Sequence, residues 1–301
     1  MDSSILNDIT RIVKGQIQID SPMRCHTSFR IGGLADVLIF PNDIKDVKNI
    51  VTYAKSKDIP YYIIGNGSNI LVSDKGIRGI VIKICKVMDR IEVCDDVIFV
   101  EAGALLPSIS KVAMKHGLSG MEHVVGIPGT LGGGIIMNAG SGGHELSEVI
   151  EKVTVLTSEG VVKELSKEQI KFGYRYSFFQ ETKDIILQVI LRLQTGVEEE
   201  IKKIMDDILK KRRGKFPLSY PNAGSVFKRK GDYSPGKLIE DAGCKGMTRG
   251  DAEVSQLHAN FIINKGNAAA NDILFLIKDV QDIVFAKFNV LLEPEIIFLN
   301  G

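Results

Sequence analysis

Gly126-Ile127-Pro128-Gly129-Thr130-Leu131-Gly132-Gly133-Gly134 places five glycines in nine positions and continues into Asn138-Ala139-Gly140-Ser141-Gly142-Gly143. That density exceeds what a simple turn needs. Its natural use is close approach of backbone to a flat or charged ligand, although clustered glycines also mark points where two backbones cross. A second loop, Gly65-Asn66-Gly67-Ser68-Asn69, lies about sixty residues upstream, directly after the apolar run Tyr61 to Ile64. Glycines there let successive N–H groups turn toward one anion, as a pyrophosphate requires; a tight strand-to-strand turn is the alternative use. The Gly65 to Asn69 loop is neither a P-loop nor a Rossmann fingerprint, because no Lys-Ser/Thr pair follows and the G-x-G-x-x-G spacing is missing. Two such loops favour ligand binding over coincidence.

Working outward, Ala35 to Phe40, Tyr61 to Ile64 and Gly79 to Ile84 are short apolar runs bounded by Gly, Pro, Asn or Asp, which predicts buried strands. Val47, Ile50, Val51 and Ala54 share one helical face ahead of Pro60. Further strands are expected at Val97 to Val100, Val153 to Leu156 and Ile185 to Leu193, with a helix from Leu106 ending at Gly117. Glu198 to Glu200 open a helix with Ile201, Ile204, Met205, Ile208 and Leu209 inward, and Lys210 to Arg213 close it, each charge at the end that suits the dipole. A last helix is expected near Asn271 to Phe285, with Ile273, Ile277, Val280 and Val284 inward, then strand pieces at Val290-Leu291-Leu292 and Ile296-Ile297-Phe298. The pattern is α+β, a mixed α/β chain without repeats.

The chain has 301 residues, 44% hydrophobic and 25% charged, enough for two or three globular domains. With 38 basic against 37 acidic residues, a nucleic-acid or anionic-membrane surface is not its main partner. Cys25, Cys85, Cys94 and Cys244 form no C-x-x-C pair, so neither a zinc site nor a disulfide scaffold is expected. The five histidines, His26, His116, His123, His144 and His258, form no H-E-x-x-H motif, and no metal is expected. No signal or membrane-length apolar run is seen, and a cytoplasmic protein is expected.

Gly173-Tyr174-Arg175-Tyr176-Ser177 sets one arginine among aromatics, where a guanidinium can be held for a carboxylate; a packed surface arginine is the alternative. In Asn222-Ala223-Gly224-Ser225-Val226-Phe227-Lys228 a serine follows a glycine with basic residues close behind, outside any G-x-S-x-G elbow. Taken alone it reads as a turn serine. In Glu293-Pro294-Glu295 one carboxylate is expected to be partly buried, which demands a partner or a raised pKa, unless it lies at a strand end on the surface.

In order along the chain, Thr27-Ser28-Phe29-Arg30-Ile31-Gly32-Gly33, the Gly65 to Val72 loop, Gly126 to Gly133, Met137-Asn138-Ala139-Gly140, Tyr174-Arg175-Tyr176-Ser177, Ala223 to Lys228, His258-Ala259-Asn260-Phe261 and Leu292-Glu293-Pro294-Glu295 resemble the UDP-N-acetylenolpyruvoylglucosamine reductase (MurB) family. The resemblance implies a two-part FAD-binding region of the vanillyl-alcohol-oxidase (PCMH) type plus a C-terminal α+β substrate-binding domain. The implied divisions are 1–84, optionally joined by a strand at 295–301, then 85–200 and 201–301. It implies non-covalent FAD, with Gly65, Asn66, Gly67, Ser68 and Asn69 on the pyrophosphate and Gly126, Ile127, Gly129 and Thr130 along the flavin.

The same resemblance implies NADPH as hydride donor and UDP-N-acetylglucosamine enolpyruvate as acceptor, in a monomer of the family's shorter subtype. Arg175 and Glu295 match residues that polarise the substrate carboxylate, and Ser225 matches the proton donor. Lys215 aligns with a diphosphate contact, and Arg229 and Asn260 fall at neighbouring substrate-side positions. His26, Gly134 and Lys230 depart from the common Asn, Ala and Pro of the family. An oxidase on the same FAD-binding fold and a silent nucleotide-binding module are the two rival readings.

Overall fold

The computed structural model describes residues 2–229, 231 and 233–300, so Lys230 lies outside the described residues. Packing divides the chain into two compact units. The first comprises 1–19, 37–66 and 79–211; the second comprises 20–36, 67–78 and 212–301. This partition is drawn along different lines from the three consecutive segments expected, because the chain leaves and re-enters each unit.

In the first unit, a five-stranded antiparallel sheet runs Val162–Ser166, Ile150–Leu156, Ile185–Arg192, Val97–Glu101 and Ile91–Cys94. A four-stranded sheet has the order Gln16–Pro22, Leu34–Phe40, Ile77–Lys83 and Tyr61–Ile64, the last two parallel with Tyr61 opposite Ile80 and Ile64 opposite Lys83. Helix Ile44–Ser56 starts on Asp43, whose side chain accepts from Asp46 N. It buries Val47, Ile50, Val51 and Ala54 in a core shared with Ile80, Ile82, Leu106, Val153 and Val189, as its periodicity predicts. Helix Leu106–Lys115 adds Leu106, Ile109 and Ala113 to that core.

Helix Glu198–Lys215 begins as its acidic triplet predicts, but only Ile201 and Met205 of its apolar face are buried. Ile204 is 49% exposed, because it sits one position off the stripe that meets Val125.

The second unit is built on helix Ala270–Phe288, which packs Ile273, Ile277, Val280 and Val284 into a core with Phe29, Leu71, Val226, Phe227 and Val254. The loop residue Asp74 caps this helix, its carboxylate accepting from Ala270 N at 2.9 Å and Asn271 N at 3.4 Å. A small antiparallel sheet orders Thr248–Arg249, Ala252–Val254 and Ile262–Asn264. Strand Ile297–Leu299 pairs in parallel with Ile70–Val72, so the end of the chain completes a ladder begun just after the first glycine loop. Val290-Leu291-Leu292 forms no strand: Leu291 is exposed and only Leu292 is buried.

Candidate active site

The two glycine-rich loops meet within the first unit. The Asn66 side-chain amide donates to Pro128 O at 2.6 Å and accepts from the Cys85 thiol at 3.3 Å. A Cβ at Gly65 would collide with Thr130 Oγ1, so glycine is needed here for the crossing of two chain segments, the structural alternative raised by the sequence. Gly67, at φ +72°, belongs to the second unit and lies against the His26 carbonyl. Ser28 N donates to Gly67 O at 3.0 Å.

The glycines at 132–134 do not form an open loop. They lie in a short helix, Leu131–Ile136, whose N-cap Thr130 accepts from Gly133 N. Three glycines make a poor helix; burial of Leu131 and Ile135 in the core holds it. At Gly134 an added Cβ would come within 2.8 Å of Leu146 Cδ1, so the leucine fills the space that a side chain there would use.

Neither Gly65 to Asn69 nor Gly126 to Thr130 contains an acidic residue; both offer backbone N–H groups, and the first adds the side-chain amides of Asn66 and Asn69. That donor set suits a pyrophosphate and the polar edge of a flavin, so the residues fit FAD.

Arg175 lies in the turn of a hairpin pairing Phe172–Gly173 with Tyr176–Ser177. Its guanidinium stacks on the Tyr174 ring at 4.8 Å and donates through Nη2 to Gly140 O at 3.2 Å. The aromatic setting read from sequence is present.

In the second unit, the segments around Ser225 and Glu295 run side by side. Glu295 N donates to Val226 O at 2.7 Å, Lys228 N donates to Glu293 O at 2.9 Å, and Phe227 bridges Pro294. Glu295 is half-buried, whereas Glu293 is exposed and ion-paired with Lys228 at 2.6 Å. Asn69 closes the arrangement, donating through Nδ2 to Glu295 O at 3.1 Å and accepting from Ile297 N at 3.0 Å.

Asn260 is the residue expected at a substrate-side position near Arg229. It is buried, and its amide is bonded at both ends to the backbone of Phe227. Lys215 is exposed at the end of its helix, with Nζ 5.8 Å from the Phe216 ring, and Arg229 is also exposed. Phe216 stacks on Phe261 and tilts against His258. Burial, then the charge of Lys215, push the His258 pKa down.

Cys85, Asn138 and Gln180 were not singled out from sequence as polar contacts to these segments. Each has at least one partner 19 to 44 positions away, beyond the reach of any local motif.

A family model for the FAD binding domain matches residues 35–166, and one for the UDP-N-acetylenolpyruvoylglucosamine reductase C-terminal domain matches 216–299. The enzyme of that name from Caldanaerobacter subterraneus subsp. tengcongensis is 48% identical over 98% of both chains, and that from Clostridium tetani 44% over 98% of this chain and 96% of the other. This chain belongs to the UDP-N-acetylenolpyruvoylglucosamine reductase family. The crystal structure of the reductase from Thermus caldophilus superposes with a TM-score of 0.79 at 32% identity, covering 95% of this chain and 99% of that one. Membership in this reductase family makes the chain an FAD-dependent oxidoreductase with the expected mixed α/β architecture, an FAD-binding region followed by a C-terminal substrate-binding domain. Alkyldihydroxyacetonephosphate synthase shares only the fold with it, at 18% identity and a TM-score of 0.51 over 65% of the chain.

Proposed function

We propose that this chain carries out the family reaction, reduction of UDP-N-acetylglucosamine enolpyruvate to UDP-N-acetylmuramate for peptidoglycan synthesis, with Arg175, Ser225 and Glu295 as its catalytic residues. FAD, when bound, carries a hydride from NADPH to the vinyl carbon of the enolpyruvyl group. The observation that carries the residue assignment is the register between two segments, in which Glu295 N donates to Val226 O at 2.7 Å and so fixes Ser225 and Glu295 on neighbouring strands of chain.

Addition of hydride to the terminal vinyl carbon leaves an electron pair at the carbon bearing the carboxylate. That pair delocalises into the carboxylate as an enol-like form. Arg175 stabilises it by charge-assisted hydrogen bonds placed where the charge develops. Glu295 shares the polarising of that carboxylate, and Ser225 Oγ–H delivers the proton that completes the C–H bond, taking one back from solvent to reset. A serine is a weak acid, so the developing negative charge on the substrate supplies the driving force.

Gly65 to Asn69 hold the FAD pyrophosphate and Gly126, Ile127, Gly129 and Thr130 line the flavin. Lys215 receives the sugar-nucleotide diphosphate as a mobile point charge, with Arg229 nearby in role. Asn260 serves indirectly, by holding the backbone next to Ser225. The protein works as a cytoplasmic monomer of three functional domains with the expected divisions; no helix among its described residues is long and apolar enough to cross a membrane.

The test is anaerobic. NADPH should bleach the flavin band, and the enolpyruvyl sugar nucleotide should restore it. Bound flavin that bleaches but does not recover with this substrate would overturn the substrate assignment.

A further inference from the structure

We propose that Asn138, assisted by Gln180, is a positioning residue that fixes where the Arg175 guanidinium sits and acts on the reaction through Arg175 alone. The inference rests on the reading of Arg175 as the partner of the substrate carboxylate.

Two non-glycine residues of this region have left-handed backbones, Asn138 at φ 42° and Arg175 at φ 54°. Asparagine tolerates that conformation because its short side chain bonds locally; arginine gains no such relief. A strained residue persists where its surroundings over-determine it, and such residues cluster at working sites. The surroundings of Arg175 are determined from three directions.

Asn138 is fully buried, and every polar atom of its side chain is engaged. Nδ2 donates to Gly173 O at 3.0 Å and to Glu145 Oε2 at 2.7 Å, and Oδ1 accepts from Ser147 N at 3.0 Å. Gly173 lies two residues before Arg175, so the first bond pins the stem of the arginine's turn. Glu145 pairs with Gly140, whose carbonyl accepts from Arg175 Nη2, so the second bond steadies the acceptor that orients the guanidinium. Gln180 fastens the other side, donating through Nε2 to Arg175 O at 3.1 Å and to Ile136 O at 2.8 Å. The arginine is thereby held at its backbone and at its head by one connected set of bonds.

Only a primary amide meets the need at 138. Aspartate would lose both donors and face Glu145 with a second carboxylate, while glycine keeps the left-handed backbone and removes the bonds alone.

The experiment compares Asn138→Gly, Gln180→Leu, Arg175→Ala and the double variant Asn138→Gly/Arg175→Ala with the unaltered flavoprotein in anaerobic stopped flow. Flavin content and bleaching by NADPH should be retained in Asn138→Gly. Recovery of the flavin band with the enolpyruvyl substrate should slow by about a hundredfold, the order expected for a misplaced catalytic group. The double variant should be no slower than Arg175→Ala, because a residue acting through another adds nothing once that other is gone.

Full-rate recovery in Asn138→Gly overturns the inference, as do additive losses in the double variant or equal losses in both half-reactions. Full-rate recovery in Arg175→Ala sinks instead the underlying reading of Arg175. If Asn138→Gly fails to retain flavin, Gln180→Leu, which leaves the Asn138 bonds in place, decides by the same comparison.

Discussion

Asn260 holds both backbone polar groups of Phe227: its Oδ1 accepts from Phe227 N at 3.0 Å and its Nδ2 donates to Phe227 O at 2.9 Å. The Asn260 carbonyl also accepts from Val226 N. Three bonds thus fix the two residues that follow Ser225.

Replacing Asn260 by Leu should leave two buried backbone groups without partners, at about 1–3 kcal/mol each. The expected outcome is a lower Tm together with slower substrate-dependent flavin reoxidation. A variant with normal Tm and weakened substrate binding alone would instead assign Asn260 a direct contact with the substrate.

Ser225→Ala should retain flavin and accept hydride from NADPH at the normal rate. Turnover should fall by roughly a hundredfold to ten-thousandfold, the usual worth of positioned proton transfer. Normal steady-state turnover in this variant would remove Ser225 from the mechanism.

Asn66 joins the two glycine-rich loops, so Asn66→Ala should weaken FAD binding. Loss of one hydrogen bond worth about 1.4 kcal/mol corresponds to tenfold in affinity. Titration of the apoprotein by flavin fluorescence reads this directly, and an unchanged dissociation constant would show that the loops hold their places without Asn66.

Burial is the largest cause lowering the pKa of both His123 and His258 in the folded chain. His123 Nε2 is buried without a hydrogen-bond partner, as is Glu122 Oε1 beside it in sequence. A histidine whose folded pKa lies below its unfolded value of 6.5 takes up its proton more readily once unfolded. Its contribution is complete above that value and is lost as pH falls through it. Tm should therefore decline as pH falls through 6.5. His123→Phe should flatten that decline; an unaltered slope would rule out His123 as its source.

What could be read in advance followed the range of the interactions concerned. Helix Ile44–Ser56 was legible because its apolar spacing and its acidic cap are local. The helix Leu131–Ile136 was not, because glycine is a weak helix former and the packing that rescues it involves residues far along the chain. Val290 to Leu292 misled in the other direction, since of the three only Leu292 is buried, and its carbonyl accepts from the Gln281 side chain and not from a neighbouring strand. Arg175, Ser225, Glu295 and Asn260 stood out by motif, while the bonds that Asn260 makes to the Phe227 backbone, 33 positions away, could not be read from it. The amides that steady the site, Asn66, Asn138 and Gln180, act across the fold, and their bonds exist only once it has formed.

The ladder between Ile297–Leu299 and Ile70–Val72 has a kinetic meaning. Asn69 and Glu295, which flank it, are separated by 226 positions. On the ribosome the early strand waits with an open edge until Ile297–Leu299 has been made, and the entropy of closing so long a loop must be met before the pairing gives anything back. The segment carrying Glu295 therefore arrives by the same event that seals that edge. A chain cut short of Ile297 is left with an unsatisfied strand edge at Ile70–Val72, so the two ends of this ladder become ordered as a single step in time.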